Sequence, residues 1–150
     1  MKVLLTKELG RLAKWLRILG IDAEYTREGT NSSVIIQALR EGRMILTRNH
    51  HLPASRGIRI IILQQESIKE QLAEALQSLG IALESAQMFT RCTVCNTGLE
   101  PIEKNAAQDK VPQYVFETQN EFFTCPQCSR IYWRGTHWGN VRELLDSIKD

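Results

Sequence analysis

Two C-x-x-C pairs, Cys92-Thr-Val-Cys95 and Cys125-Pro-Gln-Cys128, hold all four cysteines of the chain. A two-residue gap lets one tight turn aim two sulfurs at a single ion, and Zn²⁺ takes four thiolates at about 2.3 Å. The 29 residues from 96 to 124 suffice for a short hairpin that returns the second turn to the first. That is the spacing of a zinc ribbon. Asn96, Gly98 and Ser129 suit turns whose backbone amides point at sulfur. A redox C-x-x-C is normally a single pair beside a βαβ unit, and a disulfide pair fits a secreted protein. The expectation is one structural zinc on Cys92, Cys95, Cys125 and Cys128. Four protein ligands leave no open position, so such an ion serves folding and not chemistry.

The 150-residue length suits one compact domain with a small appendage. No apolar run approaches the roughly 20 residues that span a bilayer, and Met1–Thr6 leads straight into charged residues, unlike a signal peptide. A cytoplasmic protein with no membrane partner is expected. The net charge of +2 hides an asymmetry. Residues 1–63 carry eleven Lys or Arg against five acids, or +6, and the remainder carries eight against twelve, or −4. A basic first half suits an anionic partner, nucleic acid being the common one, although a solvated surface with scattered cations gives the same count.

Along the chain, residues 2–6 read as a short buried strand. A helix over 7–19 follows, with Leu9, Leu12, Ala13, Leu16 and Leu19 on its core face and Gly20 as its stop. Its other face presents Lys7, Arg11, Lys14 and Arg17 in a row. Residues 23–25 read as a second strand. The loop ending in Asn31, Ser32 and Ser33 caps a helix to about Glu41. Residues 43–47 form a third strand and 58–63 a fourth, continuous and apolar as in a parallel sheet. A helix over 67–79 carries Ser67 and Glu70 as a capping box. Strands joined mainly through helices imply an α/β sandwich on a mostly parallel sheet over 1–83. A second unit over 90–150 then holds the zinc ribbon, with 114–117 and 122–124 as hairpin strands and 141–148 as a short terminal helix.

In an open parallel sheet, ligands bind beyond the carboxyl ends of the strands. Those ends gather Thr6, Asn31 or Ser32, and the Thr47-Arg48-Asn49 corner, with Lys7, Arg11 and Arg48 as neighbouring cations. The set suits a phosphate backbone, and equally suits turns and helix caps that satisfy themselves. Adjacent His50 and His51 on a loop point different ways and make a poor acid–base pair. For His137 the reading is a structural or RNA-contacting role. Trp15, Trp133, Trp138 and Tyr132 offer stacking faces for bases, or packing between helix and ribbon.

Three stretches carry a resemblance: Leu9-Gly-Arg-Leu-Ala-Lys-Trp-Leu-Arg-Ile-Leu-Gly20, Glu41-Gly-Arg-Met-Ile-Leu-Thr-Arg48, and the paired C-x-x-C with Ile131-Tyr-Trp-Arg-Gly-Thr-His137. In that order they resemble the Mut-seven C-terminal RNase domain family, a PIN-like fold fused to a zinc ribbon. The resemblance implies a ribonuclease whose metal ions sit on aspartates at the strand ends. The family usually has aspartates at the positions of Thr6 and Asn49, and another near Asn31 or Ser32. All are neutral here. Mg²⁺ or Mn²⁺ needs anionic oxygens to be held while it activates water, so neither ion is expected to bind tightly. Glu8, one turn into the helix, and Glu28, in a loop, are the nearby carboxylates. Three readings follow. The first is an RNA-binding protein with a degenerate nuclease site, using Lys7, Arg11, Lys14, Arg17, Arg48 and His137. The second is an active nuclease with a rearranged metal site. The third is an adaptor whose ribbon docks on a protein of a ribonucleoprotein.

Overall fold

Four strands, β1 (Lys2–Leu5), β2 (Asp22–Tyr25), β3 (Met44–Thr47) and β4 (Ile60–Ile62), pair in the order β2-β1-β3-β4, all parallel. The computed structural model of the protein describes residues 1–27, 29–134 and 137–149. Side chains alternate across a strand, and the two faces of β1 show it. Val3 and Leu5 join one core with Leu12 and Leu16 of α1 (Gly10–Ile18) and Leu72 and Leu76 of α3 (Ile68–Leu79). Leu4 joins the other, with Ile45 and with Val34 and Ala38 of α2 (Asn31–Glu41). Helices on both faces of a parallel sheet are the expected α/β arrangement. No helix among the described residues is long and apolar enough to cross a membrane.

The punctuation residues act locally. Ser67 caps α3 by accepting the Glu70 N–H at 3.2 Å, and its own hydroxyl donates to the Glu70 carboxylate at 3.0 Å. The cap of α2 is Thr30, which accepts the Ser33 N–H at 3.1 Å, so Asn31 and Ser32 lie inside the helix instead of capping it. Residues 7–9 form a 3-10 turn before α1, which frees Glu8 from the helix face that a continuous helix would give it. Gly20 adopts φ +82°, and a Cβ there would lie 2.2 Å from the Gln87 carbonyl oxygen. Its bare backbone lets the segment after α3 cross the end of α1, where the Phe89 N–H donates to the Ile18 carbonyl at 2.9 Å.

Beyond residue 90, a second, antiparallel sheet runs in the order β5-β6-β7, from β5 (Glu100–Ile102), β6 (Phe122–Thr124) and β7 (Ile131–Tyr132). The expected strand over 114–117 is instead helix α5 (Gln113–Thr118), after a one-turn α4 (Lys104–Ala107). Tyr-Val-Phe has strand composition, but Pro112 opens a turn whose carbonyl takes the N–H groups of Val115 and Phe116. Val115 then buries against Ala107 and Phe122. The partners of β6 are β5 and β7, and β5 contains Pro101, tolerated because β5 is an edge strand.

The terminal helix α6 (His137–Lys149) was expected with the ribbon unit over 90–150. Its Val141 and Leu145 are buried in the first core, against the layer of α1 and α3. The chain thus returns to the N-terminal unit to finish its core. Gly135, in the expected turn before His137, lies outside the described residues.

Candidate functional site

The carboxyl ends of β1 and β3 open on a cavity of about 210 Å³ lined by Thr6, Lys7, Glu8, Asn31 and Asn49 among others. Thr6, Asn31 and Asn49 therefore do converge, and Asn49 Nδ2 donates to Asn31 Oδ1 at 3.3 Å. Ser32 is exposed on α2 and does not line the cavity. Glu8 joins them. Its Oε1 lies 2.6 Å from the Thr6 hydroxyl, 3.2 Å from the Thr47 hydroxyl and 2.8 Å from the Arg48 N–H that donates to it. Burial acts to raise the Glu8 carboxyl, but these donors outweigh it and hold the group below its ordinary range. The sequence placed Glu8 nearby, but its reach to these donors depends on the 3-10 turn. Glu28 lies outside the described residues.

The expected cationic row divides into three. Lys7 lines the strand-end cavity, where the Tyr25 hydroxyl donates to its carbonyl at 2.6 Å. Arg11 and Lys14 are exposed on α1 and line a separate groove. Arg17 is buried: Nε donates to the Ala23 carbonyl at 2.8 Å, and Nη1 to the carbonyls of Thr93 and Val94 at 3.0 and 3.1 Å. It is a structural tie and not an exposed phosphate contact. Burial lowers its affinity for a proton, against the opposing pull of Glu24. Arg48 leans toward Glu66 at 3.8 Å, outside the cavity lining. His137 stands at the start of α6, and its side chain is outside what is described. His50 and His51 are exposed in a turn whose His51 N–H donates to Asn49 Oδ1 at 2.9 Å.

The four cysteine sulfurs lie within 4.8 Å of one another. Cys92 and Cys128 sulfurs are 3.8 Å apart, the edge of a tetrahedron with bonds of about 2.3 Å. The two turns match bond for bond. Asn96 N–H donates to the Cys92 carbonyl at 2.9 Å and Ser129 N–H to that of Cys125 at 2.8 Å. Asn96 (φ 63°) and Ser129 (φ 65°) both adopt the left-handed conformation that folds each turn around its sulfurs. Burial and the crowding sulfurs of Cys128 and Cys92 push Cys95 up, whereas the backbone and side chain of Arg130 pull Cys128 down. The Tyr132 hydroxyl sits 3.0 Å from the Cys92 sulfur. An all-thiolate set of this size fits Zn²⁺.

Asn96 also locks this cluster to the sheet. Its Oδ1 accepts the Ala23 N–H at 3.0 Å, closing the open edge of β2, and Nδ2 donates to Asp22 at 2.7 Å and Glu24 at 3.0 Å. For Asp22, burial opposes ionisation, but hydrogen bonds from Arg43 and Asn96 outweigh it and hold the carboxyl low. Asn96→Ala is expected to destabilise the protein by about 1–3 kcal/mol through the unpaired groups it leaves. Asn96→Asp should cost more, by setting a carboxylate against Asp22 and Glu24. That excess should shrink as pH falls through the carboxylate range, and melting curves at neutral and acidic pH would measure it. Equal losses for the two variants at both pH values would show that the amide donors do not matter.

Searches among curated proteins and among solved structures gave no match. The family model described as Mut7-C RNAse domain matches residues 1–145, and the chain belongs to that family.

Proposed function

We propose that this protein binds RNA through a PIN-like domain and a zinc ribbon, and that metal-dependent cleavage has been lost from its strand-end site. One observation carries the reading. Among the described residues, the strand-end cavity is lined by a single carboxylate, Glu8, whose Oε1 already accepts three hydrogen bonds. Mg²⁺ demands near-octahedral oxygens with carboxylates among them, and the amides and hydroxyls of Asn31, Asn49 and Thr6 supply no charge. Fewer carboxylates also mean less repulsion of phosphate. Family membership and the basic first half support an RNA ligand.

The test is retention of labelled single-stranded RNA by the pure protein, with Mn²⁺ and with chelator, over a range of salt. Binding in both, with little or no cleavage, is expected. Replacing Arg11 and Lys14 together by Ala should flatten the slope of log affinity against log salt by about 1.4, two phosphate contacts on a single strand. Absence of binding at low salt would end the RNA reading, and Mn²⁺-dependent cutting would end the claim of lost cleavage.

A further inference from the structure

Between α1 and the cysteine module lies a groove of about 510 Å³, within the size range of ligand sites. Trp15, Tyr132 and Trp133 line it together with the cations Arg11, Lys14 and Arg91, and among the described residues no carboxylate does. We infer that this groove is a binding site for unpaired bases of single-stranded RNA, an inference that rests on the RNA-binding reading and assigns that RNA a place.

Three observations favour that occupant. Aromatic faces interleaved with cations are the composition that holds single strands, the rings stacking on bases and the cations on phosphates. The walls are fixed in advance, which lowers the cost of ordering them on binding. The Tyr132 hydroxyl lies 3.0 Å from the Cys92 sulfur and accepts the Thr93 N–H at 3.2 Å. Arg91 is held by the Asn96 carbonyl at 2.6 Å and faces Asp22 at 3.9 Å. Arg11 and Lys14, in contrast, are exposed, and among the described residues neither pairs with a carboxylate. Finally, one short stretch of chain supplies cations to both the groove and the strand-end cavity. Lys7 lines the strand-end cavity and Arg11 and Lys14 line the groove.

The experiment titrates the zinc-loaded full chain with a ten-nucleotide single-stranded RNA, following tryptophan fluorescence and retention at fixed salt. Its control is a ribose-phosphate oligomer of the same length and charge without bases. The RNA should quench fluorescence, and the base-free oligomer should bind about tenfold more weakly or worse. Trp15→Ala should weaken RNA by about tenfold and Trp15→Phe much less. Lys14→Glu, an exposed change that leaves the core alone, should weaken it severalfold and keeps the test open if Trp15→Ala does not fold. Equal binding of the two oligomers, or RNA binding indifferent to both Lys14→Glu and the Trp15 changes, would overturn the groove while leaving RNA binding intact. No binding of either oligomer would overturn both. Self-association of the chain that masks the tryptophans and resists RNA would give the groove to a second copy and overturn the assignment.

Discussion

Removal of zinc is expected to lower the stability of the whole chain and not of the C-terminal module alone. Zinc on four thiolates contributes on the order of 10 kcal/mol to such modules. Two independent units would confine that loss to the residues between the cysteine turns. The contacts say otherwise. Asn96, beside Cys95, holds Ala23, Asp22 and Glu24, and Arg17 of α1 donates to the Thr93 and Val94 carbonyls between the first two cysteines. Release of that turn leaves Nη1 of the buried Arg17 and the Ala23 N–H at the edge of β2 without their partners, each group costing about 1–3 kcal/mol if it stays dry. Helix α6, which follows the last cysteine, completes the core over α3. Fresh protein should contain about one zinc per chain. Chelation should bring down the melting of helical signal across the molecule and speed exchange of the Ala23 amide. A chelated protein with an unchanged melting curve would refute the zinc site. Loss confined to residues beyond 90, with Ala23 still protected, would refute the coupling.

Much of this architecture was legible because it rests on local rules. Apolar periodicity marked β1, α1 and α3, Gly20 and Ser67 ended or began helices where expected, and the four cysteines announced their own cluster. The failures share a cause in contacts that local rules do not carry. Tyr114-Val-Phe reads as a strand until Pro112 and the burial of Val115 decide for a helix. Arg17 continues the cationic row of Arg11 and Lys14 by spacing, yet its guanidinium is drawn inward by carbonyls 76 and 77 residues away. Asn96 was readable as a turn residue, but not as the amide that seals a distant strand edge. At the strand ends the converging positions were found from topology, whereas the reach of Glu8 depended on a 3-10 turn in place of a first helical turn.

On the proposal of lost cleavage, carboxylates introduced at the strand ends should create a metal site, with a cost visible when the metal is withheld. Thr6→Asp, Asn31→Asp and Asn49→Asp would place three new carboxylates with Glu8 around a space of about 210 Å³. The Thr6 hydroxyl is 2.6 Å from the Glu8 carboxylate, so the first substitution replaces a donor by a like charge. In chelator the triple variant should therefore melt below the parent, and lowering the pH through the carboxylate range should relieve the difference. Mn²⁺ should reverse it, since a ligand that binds only the folded state stabilises by about 2.7 kcal/mol at a hundred times its dissociation constant. The parent should show no comparable shift. Slow cleavage by the variant would follow only if the groups that orient water survive, so the thermal shift is the firmer readout. The unmodified chain supplies the sharper test. If it cuts RNA with Mn²⁺, stops in chelator and loses cutting on Glu8→Gln, then Glu8 holds a working metal despite its three hydrogen bonds, and the proposal of lost cleavage fails.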